Sequence, residues 1–110
     1  MYEGMWHDNK IQGTGIYKWI DGRAYYGQWS NNDMEGYGHY VYADGVQYFG
    51  QYSKDKKEGY GEYFWTDGRF YKGYWYKGRQ HGLGTYSDPN KRKGAVKHGL
   101  WELGKRVKWF

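Results

Sequence analysis

The sequence predicts an all-β fold, an elongated and twisted single-layer antiparallel β-meander built from successive hairpins of about 23 residues. Three series of residues lead to this prediction, and all keep the same 23-residue step. An aromatic-x-Gly-x-aromatic element begins at Tyr2, Tyr25, Tyr48 and Tyr71. A Gly-x-Gly pair begins at Gly13, Gly36, Gly59 and Gly82, and an Asp-Gly pair stands at 21–22, 44–45 and 67–68. A repeat of this length is typical of an array in which each unit packs on its neighbours.

The first unit is predicted to be one hairpin. Residues 2–7 alternate with period two, which places Tyr2, Gly4 and Trp6 on one face of a strand. A polar turn at 8–10 leads to a second strand from about 13 to 20. Asp21-Gly22 then supplies the two positive-φ residues of a type I′ turn, which passes the chain to the next hairpin.

The following units repeat this plan. The predicted strands are 23–30, 36–43, 46–53, 59–66, 69–76 and 82–87, with intervening turns at 31–33, 44–45, 54–57, 67–68 and 77–79. Because every connection is short, strands that are neighbours in sequence are predicted to be neighbours in the sheet. About ten strands at roughly 4.8 Å spacing would give a ribbon about 45 Å long and about 20 Å wide.

The domain prediction is one array over residues 1–110, with repeats at about 2–24, 25–47, 48–70 and 71–93. The pattern breaks after residue 87, where Asp88-Pro89-Asn90 replaces the expected Asp-Gly turn. Gly99 and Trp101 restore the Gly-x-Trp element three residues late, and a last hairpin turn is predicted at Gly104-Lys105. Residues 94–110 are therefore predicted to be an irregular capping unit, whose lysines discourage pairing at the sheet edge.

Rings facing glycines are predicted to form the core. Aromatic residues make up 24% of the chain and glycines number 19, so rings must supply the buried surface. A ring that lies flat over a cross-strand glycine covers bare backbone in a sheet without a second layer. The opposite face is expected to be mixed and wetter, with Thr14, Ile16, His39, Val41, Glu62, Phe64 and Thr85.

Composition limits the compartment and the chemistry. The absence of cysteine excludes disulfides and thiolate zinc sites. No apolar run is long enough for a transmembrane helix or a signal-peptide core, and we expect a cytoplasmic protein. The net charge is +5, but residues 1–90 carry 10 Lys/Arg against 11 Asp/Glu, whereas 91–110 carry 7 Lys/Arg against Glu102 alone. This asymmetry indicates a polyanionic partner or an edge-protecting cap.

No catalytic or cofactor site is predicted. The four histidines lie on different strands and turns without metal-ligand spacing, and no serine occupies a Gly-x-Ser-x-Gly elbow. The Gly-x-Gly pairs lack the third glycine of a dinucleotide fingerprint and lie within strands. The chain is therefore predicted not to be an enzyme and to hold neither a metal nor a cofactor.

The combined pattern resembles the MORN repeat (membrane occupation and recognition nexus). The residues that carry the resemblance are Tyr25-Gly27-Trp29, Gly36-Gly38, Asp44-Gly45 and their equivalents over about 1–87, with a looser match over 95–110. Tyr52 in place of Trp and the missing Asp-Gly near 90 depart from the pattern. The resemblance implies a scaffolding β-meander of the kind found in ciliary radial spokes, parasite cytoskeletal structures and membrane-junction proteins. It leaves open whether this chain is complete or a piece of a longer array.

The aromatic face is the first functional candidate, because a single-layer sheet is expected to leave the far side of its rings uncovered. Tyr and Trp anchor protein interfaces, so we predict a scaffold that binds a peptide or helix of a partner protein. A cytoskeletal or ciliary assembly is the setting that the family resemblance suggests for it. The predicted contact residues are Trp29, Tyr40, Tyr42, Tyr48, Tyr63, Trp65 and Trp75.

The basic end is the second candidate, and the alternative function is a peripheral module that binds acidic phospholipid. The residues concerned are Lys91, Arg92, Lys93, Lys97, Lys105, Arg106 and Lys108. Nucleic acid is disfavoured as a partner, because rings and charges are segregated in the sequence whereas a stacking groove would interleave them. Pairing of two copies through edge strands is a further hypothesis for this fold.

Overall fold

The computed structural model describes residues 1–91 and 96–110, and within them the chain is all-β. These residues form ten strands in one sheet, with the order β1 to β10 following the sequence and every neighbouring pair antiparallel. The predicted single-layer meander is confirmed, and its extents of 50 × 24 × 16 Å agree with the predicted ribbon.

The strand bounds are β1 Tyr2–His7, β2 Lys10–Lys18, β3 Ala24–Ser30, β4 Asp33–Val41, β5 Gln47–Ser53, β6 Lys56–Phe64, β7 Phe70–Tyr76, β8 Arg79–Ser87, β9 Val96–Glu102 and β10 Lys105–Trp109. Strands β2, β4, β6 and β8 begin three residues earlier than predicted, and β2, β4 and β6 also end two residues earlier. The cause lies in the turns, because the type I′ turn predicted at Asp-Gly occurs instead within each repeat.

The tight two-residue turns lie within the repeats. Asp8 and Asn9 have φ of 51° and 63°, and the equivalent pair Asn31 and Asn32 has 56° and 72°. Two successive positive-φ residues are what a type I′ hairpin turn requires. The last turn follows the same rule at Leu103-Gly104, one residue before the predicted position.

The Asp-Gly pairs form a different turn, so the predicted type I′ geometry is wrong there. Only Gly22 has a positive φ, of 102°, and its N–H donates to the Trp19 carbonyl oxygen at 3.2 Å. The Asp21 carboxylate accepts the Arg23 N–H at 3.1 Å, and Asp44 and Asp67 repeat this bond. Aspartate is therefore selected for its side-chain acceptor, which caps a four-residue turn.

Each of the first four hairpins also contains a bulge at the first glycine of the Gly-x-Gly pair. Between the pairs Gly27–Gly38 and Trp29–Met34, three residues of β4 stand opposite Gln28 alone. Gly36, at the centre of these three, has φ of 89°, which favours glycine. The bulge is tied by Gln28 Oε1, which accepts the Tyr37 N–H at 2.7 Å, and by the Gln28 carbonyl, which accepts the Tyr25 hydroxyl at 3.0 Å.

The second glycine of the pair lies beneath a ring, as predicted. A Cβ added at Gly38 would overlap the Tyr25 ring, and Tyr48 over Gly61 and Tyr71 over Gly84 repeat this close approach. Tyr25, Tyr48 and Tyr71 are the largest fully buried side chains of the described residues. The core of this thin sheet is therefore built from one buried tyrosine in each of these repeats. Its ring packs on a glycine, and its hydroxyl donates a hydrogen bond to a backbone carbonyl oxygen.

The opposite face carries more ring surface than predicted. Tyr26, His39 and Phe49 stack there, with centroid separations of 5.6 and 4.0 Å. Tyr26 and Phe49 are 38% and 42% exposed, and His39 Nε2 lies 2.8 Å from Gln47 Oε1. This stack adds cross-strand ring contacts to a surface that remains largely open to water.

The last hairpin continues the sheet. In β9, Gly99 pairs with Gly84 and Trp101 pairs with Gly82, and Trp101 is buried like Trp29 and Trp75. Thus the displaced Gly-x-Trp element returns to the pairing of a regular repeat. Two residues of the predicted basic end, Arg92 and Lys93, lie outside the described residues.

Candidate functional site

The rings of one face form two continuous rows along the ribbon. In the inner row, the first tyrosine of each repeat packs on two rings: the Trp or Tyr that ends the aromatic element of the same repeat, and its equivalent in the next repeat. Tyr48, for example, lies 5.3 Å from Tyr52 and 5.5 Å from Trp75 between centroids, both edge to face. The inner row consists of Tyr2, Trp6, Tyr25, Trp29, Tyr48, Tyr52, Tyr71, Trp75 and Trp101.

The outer row runs parallel to the inner row, nearer the Asp-Gly turns. Its neighbouring centroids are 4.6 to 6.3 Å apart. Seven of its eight rings are half-buried, and Tyr40 alone is buried. The outer row consists of Tyr17, Trp19, Tyr40, Tyr42, Tyr63, Trp65, Tyr86 and Trp109.

Four of the seven predicted contact residues are core residues. Trp29, Tyr40, Tyr48 and Trp75 are only 6%, 8%, 0% and 7% exposed. The expectation that their far sides are uncovered is wrong, because rings from adjacent repeats cover them. The indole nitrogens of Trp29 and Trp75 are satisfied as well, since they donate to the Gly15 and Gly61 carbonyl oxygens at 3.3 and 3.2 Å.

The other three predicted contact residues form a half-buried strip at the middle of the outer row. Tyr42 lies 5.9 Å from Tyr63, which lies 4.7 Å from Trp65. Burial raises the pKa of Tyr42 and Tyr63, so both hydroxyls stay protonated at neutral pH and can donate hydrogen bonds. This strip of Tyr42, Tyr63 and Trp65, here called the ring strip, is the part of the predicted contact surface that is not buried in the core.

A third line of residues belongs to the same face. Each member pairs across the strands with the Trp or Tyr that ends the aromatic element of its repeat. The members do not follow one residue type but change from apolar to cationic along the chain. This variable row consists of Ile11, Met34, Lys57, Gln80 and Arg106.

Lys57, in the variable row, places a cation among the rings. Its ammonium lies 5.4 to 5.9 Å from the centroids of Tyr42, Tyr48, Tyr63 and Trp75. Burial lowers the Lys57 pKa, and no carboxylate of the described residues lies within 4.0 Å of the ammonium. Sequence reasoning missed Lys57, although it interrupts the Ile11–Met34 series in the repeat where Tyr52 replaces Trp.

Other cations also lie over rings of this face, so the predicted segregation of rings and charges is wrong. Arg23 and Arg69 each lie 4.9 Å from the ring of Trp19 and Trp65 respectively. At the last hairpin, Arg106 lies 4.6 Å from the Trp109 ring. Cation–ring contacts thus recur along the aromatic face.

The predicted basic end does not form one patch. Lys97 pairs with Tyr86 and Arg106 pairs with Trp101, which places both on the aromatic face. Lys105 pairs with Glu102 and Lys108 pairs with Leu100, on the opposite face. Lys91 is exposed at the turn before the last hairpin.

Comparison with known families identifies the repeat. The MORN repeat pattern matches four successive segments, residues 2–22, 25–47, 48–68 and 71–91. This chain belongs to the MORN-repeat family. No curated protein matches the sequence as a relative.

MORN repeats are non-enzymatic modules that generally bind proteins or membrane lipids. The four matches stop at residue 91, so the hairpin of β9 and β10 extends the MORN sheet beyond them. Across residues 1–91 and 96–110, no three His, Asp or Glu side chains gather as metal ligands. The same residues contain no helix with the length and hydropathy needed to cross a bilayer.

Replacement of Lys57 by the residue of the preceding MORN repeat is expected to stabilise the free protein. Lys57→Met matches Met34 and removes a charge whose pKa burial has lowered, so unfolding should require about 1 kcal/mol more. Thermal denaturation should show an increase of about 4–8 °C. A lower melting temperature would mean that the cation–ring contacts outweigh desolvation.

Proposed function

We propose that this MORN-repeat chain is a non-catalytic scaffold that holds a segment of a partner protein on its aromatic face. The observation that carries the proposal is the ring strip, whose residues are neither buried in the core nor scattered. Beyond Trp65 the strip opens into a hollow of about 300 Å³ lined by Trp65, Gln80, Tyr86, Trp101, Arg106 and Trp109. Half-buried Tyr and Trp beside a hollow are typical anchor points of protein interfaces.

The rigid sheet supports this function. From Tyr25 to Trp101 the inner row is buried, so the outer row is presented on a support that need not rearrange on binding. Little conformational entropy is then lost by the scaffold, which favours affinity from a modest contact area. Tyr and Trp also offer polar tips that can bond to the backbone of a bound peptide or helix.

A random peptide display library, selected on the purified protein, tests the proposal. Peptides selected on the wild type should bind Trp65→Ala at least tenfold more weakly, because the ring lies in the strip. Tyr74→Ala is the matched control, since this ring is 51% exposed on the opposite face. Equal losses in both variants, or no selected peptide at all, would contradict the proposal; circular dichroism verifies that both variants fold.

Binding to acidic phospholipid is the second candidate, supported by the edge strand β10. This strand presents Lys105 and Lys108 next to Val107 and Phe110, which are 55% and 67% exposed. The division of the basic residues between two faces argues against it, because only part of the charge can reach one bilayer plane.

Vesicle co-sedimentation separates the two functions. We expect no recruitment to acidic over neutral vesicles at physiological salt, where exposed charges are screened beyond about 8 Å. Recruitment that disappears when Lys97, Lys105 and Lys108 are changed to Gln would instead favour the membrane function.

We place this scaffold in the cytoplasm, within a cytoskeletal or ciliary assembly, on the family resemblance alone. Each end of the sheet has one unpaired strand edge, at β1 and β10, and pairing of two copies there is the corresponding hypothesis for self-association. Fluorescence microscopy of the tagged protein tests the setting, and sedimentation velocity tests the self-association.

A further inference from the structure

The variable row is the part of the aromatic face that differs from repeat to repeat. The rings around it recur, whereas Ile11, Met34, Lys57, Gln80 and Arg106 change the local chemistry. Recurrent rings supply general affinity for an apolar partner. Selectivity among such partners must come from positions that differ, since binding specificity is a difference between affinities.

Lys57 holds a charge that no carboxylate of the described residues pairs with. Within residues 1–91 and 96–110, its ammonium makes ring contacts alone, with no hydrogen bond and no ion pair. Burial acts on the Lys57 pKa without an opposing charge. A half-buried ammonium gains most from an anionic partner, because a charge-assisted bond is stronger where water is partly excluded.

We propose that Lys57 makes the aromatic face selective for a partner segment that presents an acidic side chain to the ring strip. This inference rests on the proposed function and specifies the chemistry of the bound segment. The carboxylate meets the Lys57 ammonium beside Tyr42 and Tyr63. The remainder of the segment is apolar towards Met34, which is only partly buried.

Charge complementarity selects this occupant. The rings attract apolar and cationic groups alike, but a cationic segment would meet the Lys57 ammonium among the same rings. A wholly apolar segment would cover the ammonium and leave it unpaired, which is costly. A segment with one carboxylate at this point satisfies both the rings and the charge.

The next cation of the variable row sets a second contact. Lys57 lies on β6 and Arg106 on β10, four strand steps apart or about 19 Å at roughly 4.8 Å a step. A second acidic residue would reach Arg106 if it followed the first by about 6 residues in an extended segment or about 13 in a helix. The bound segment is therefore acidic towards the last hairpin.

The test uses the peptides of the display selection. Enriched peptides should contain Asp or Glu, and the best one is synthesised with this residue as its amide counterpart. We expect the amide peptide to bind the wild type at least tenfold more weakly than the acidic peptide does. The two peptides should bind the Lys57→Met variant with equal affinity, because the ammonium is absent there. Lys57→Glu should reject the acidic peptide and accept the same peptide carrying Lys.

Lys56→Glu is the matched control. It changes the charge equally on the adjacent residue, but Lys56 is exposed and pairs with Ser53 on the opposite face. Binding of the acidic peptide should remain within about twofold, an amount expected of distant screened charge. An equal loss in Lys56→Glu and Lys57→Glu would overturn the inference, since net charge alone would explain it.

The remaining outcomes separate this inference from the proposed function. If the amide peptide binds the wild type as tightly as the acidic one, while Trp65→Ala still abolishes binding, Lys57 selectivity is overturned and the scaffold function stands. If binding survives Trp65→Ala, both fall. Lys57-dependent binding of oligothymidylate would also overturn the inference, because aromatic rings with cations beside them can bind single-stranded nucleic acid by stacking on its bases.

Discussion

Gly61→Ala is expected to cost about 3 kcal/mol of unfolding free energy, because the added methyl group has no room. A Cβ at Gly61 would overlap the hydroxyl end of the Tyr48 ring. Tyr48 cannot move aside easily, since it is fully buried and its hydroxyl donates to the Gln51 carbonyl oxygen at 2.9 Å. Urea denaturation followed by tryptophan fluorescence measures the loss.

The cause of this loss can be isolated by a double-mutant cycle. Tyr48→Leu removes the distal ring atoms that overlie Gly61, so Gly61→Ala should cost less than about 1 kcal/mol in this background. Gly78→Ala serves as a second control, because no atom lies within 4 Å of its added Cβ and only its φ of 84° opposes the change. Full additivity in the cycle would show that the ring over Gly61 is not the source of the cost.

Periodicity made the fold predictable, because pairing in this sheet is local. Tyr25, Gly27 and Trp29 recur at a fixed step, and short connections leave adjacent pairing as the one arrangement for the chain. The turns were harder, since Asp-Gly fits both a type I′ turn and a four-residue turn closed by Gly22. What decides between them is the tight turn at Asn31-Asn32, which already supplies the strand reversal within the repeat.

The candidate site was only partly predictable. Ring identity can be read from the sequence, but the exposure of a ring depends on which repeat covers it. Trp6 shows the difference: it is 59% exposed, whereas Trp29, its equivalent, is covered by Tyr2 of the preceding repeat at 5.7 Å. The ring environment of Lys57 could not be predicted, because its four ring neighbours come from three repeats and nothing along the chain marks them as neighbours.

Alkaline pH is expected to unfold the protein through its buried tyrosines. Burial raises the pKa of Tyr71 to about 12. It also raises the pKa values of Tyr25, Tyr42, Tyr48 and Tyr52. The folded state therefore holds these protons more tightly than the unfolded state, where the tyrosine pKa is 10.0. The resulting stability is fully present below pH 10 and is lost as the pH rises from there through about 12.

The expected loss is large. One pKa unit corresponds to about 1.4 kcal/mol, so Tyr71 alone accounts for about 3 kcal/mol, and the other four tyrosines add losses of the same sign. Lys57 acts in the opposite direction, because its lowered pKa favours folding as the pH rises towards 10.5. One lysine cannot offset five tyrosines. Urea midpoints measured from neutral pH to about pH 12, with tyrosinate absorbance on the same samples, give the stability and the ionisation together.

Substitution by Phe assigns this loss to the inner row. Tyr71→Phe cannot ionise, so the decrease in stability between neutral pH and pH 12 should be smaller by about 2 kcal/mol, although the variant loses the hydroxyl bond to the Tyr74 carbonyl oxygen at every pH. Tyr74→Phe, at an exposed ring, should leave the decrease unchanged. Tyrosinate that forms without loss of stability would mean that hydroxide reaches the inner row in the folded state. The inner row would then be open to solvent, and the distinction between a buried inner row and a half-buried ring strip would be wrong.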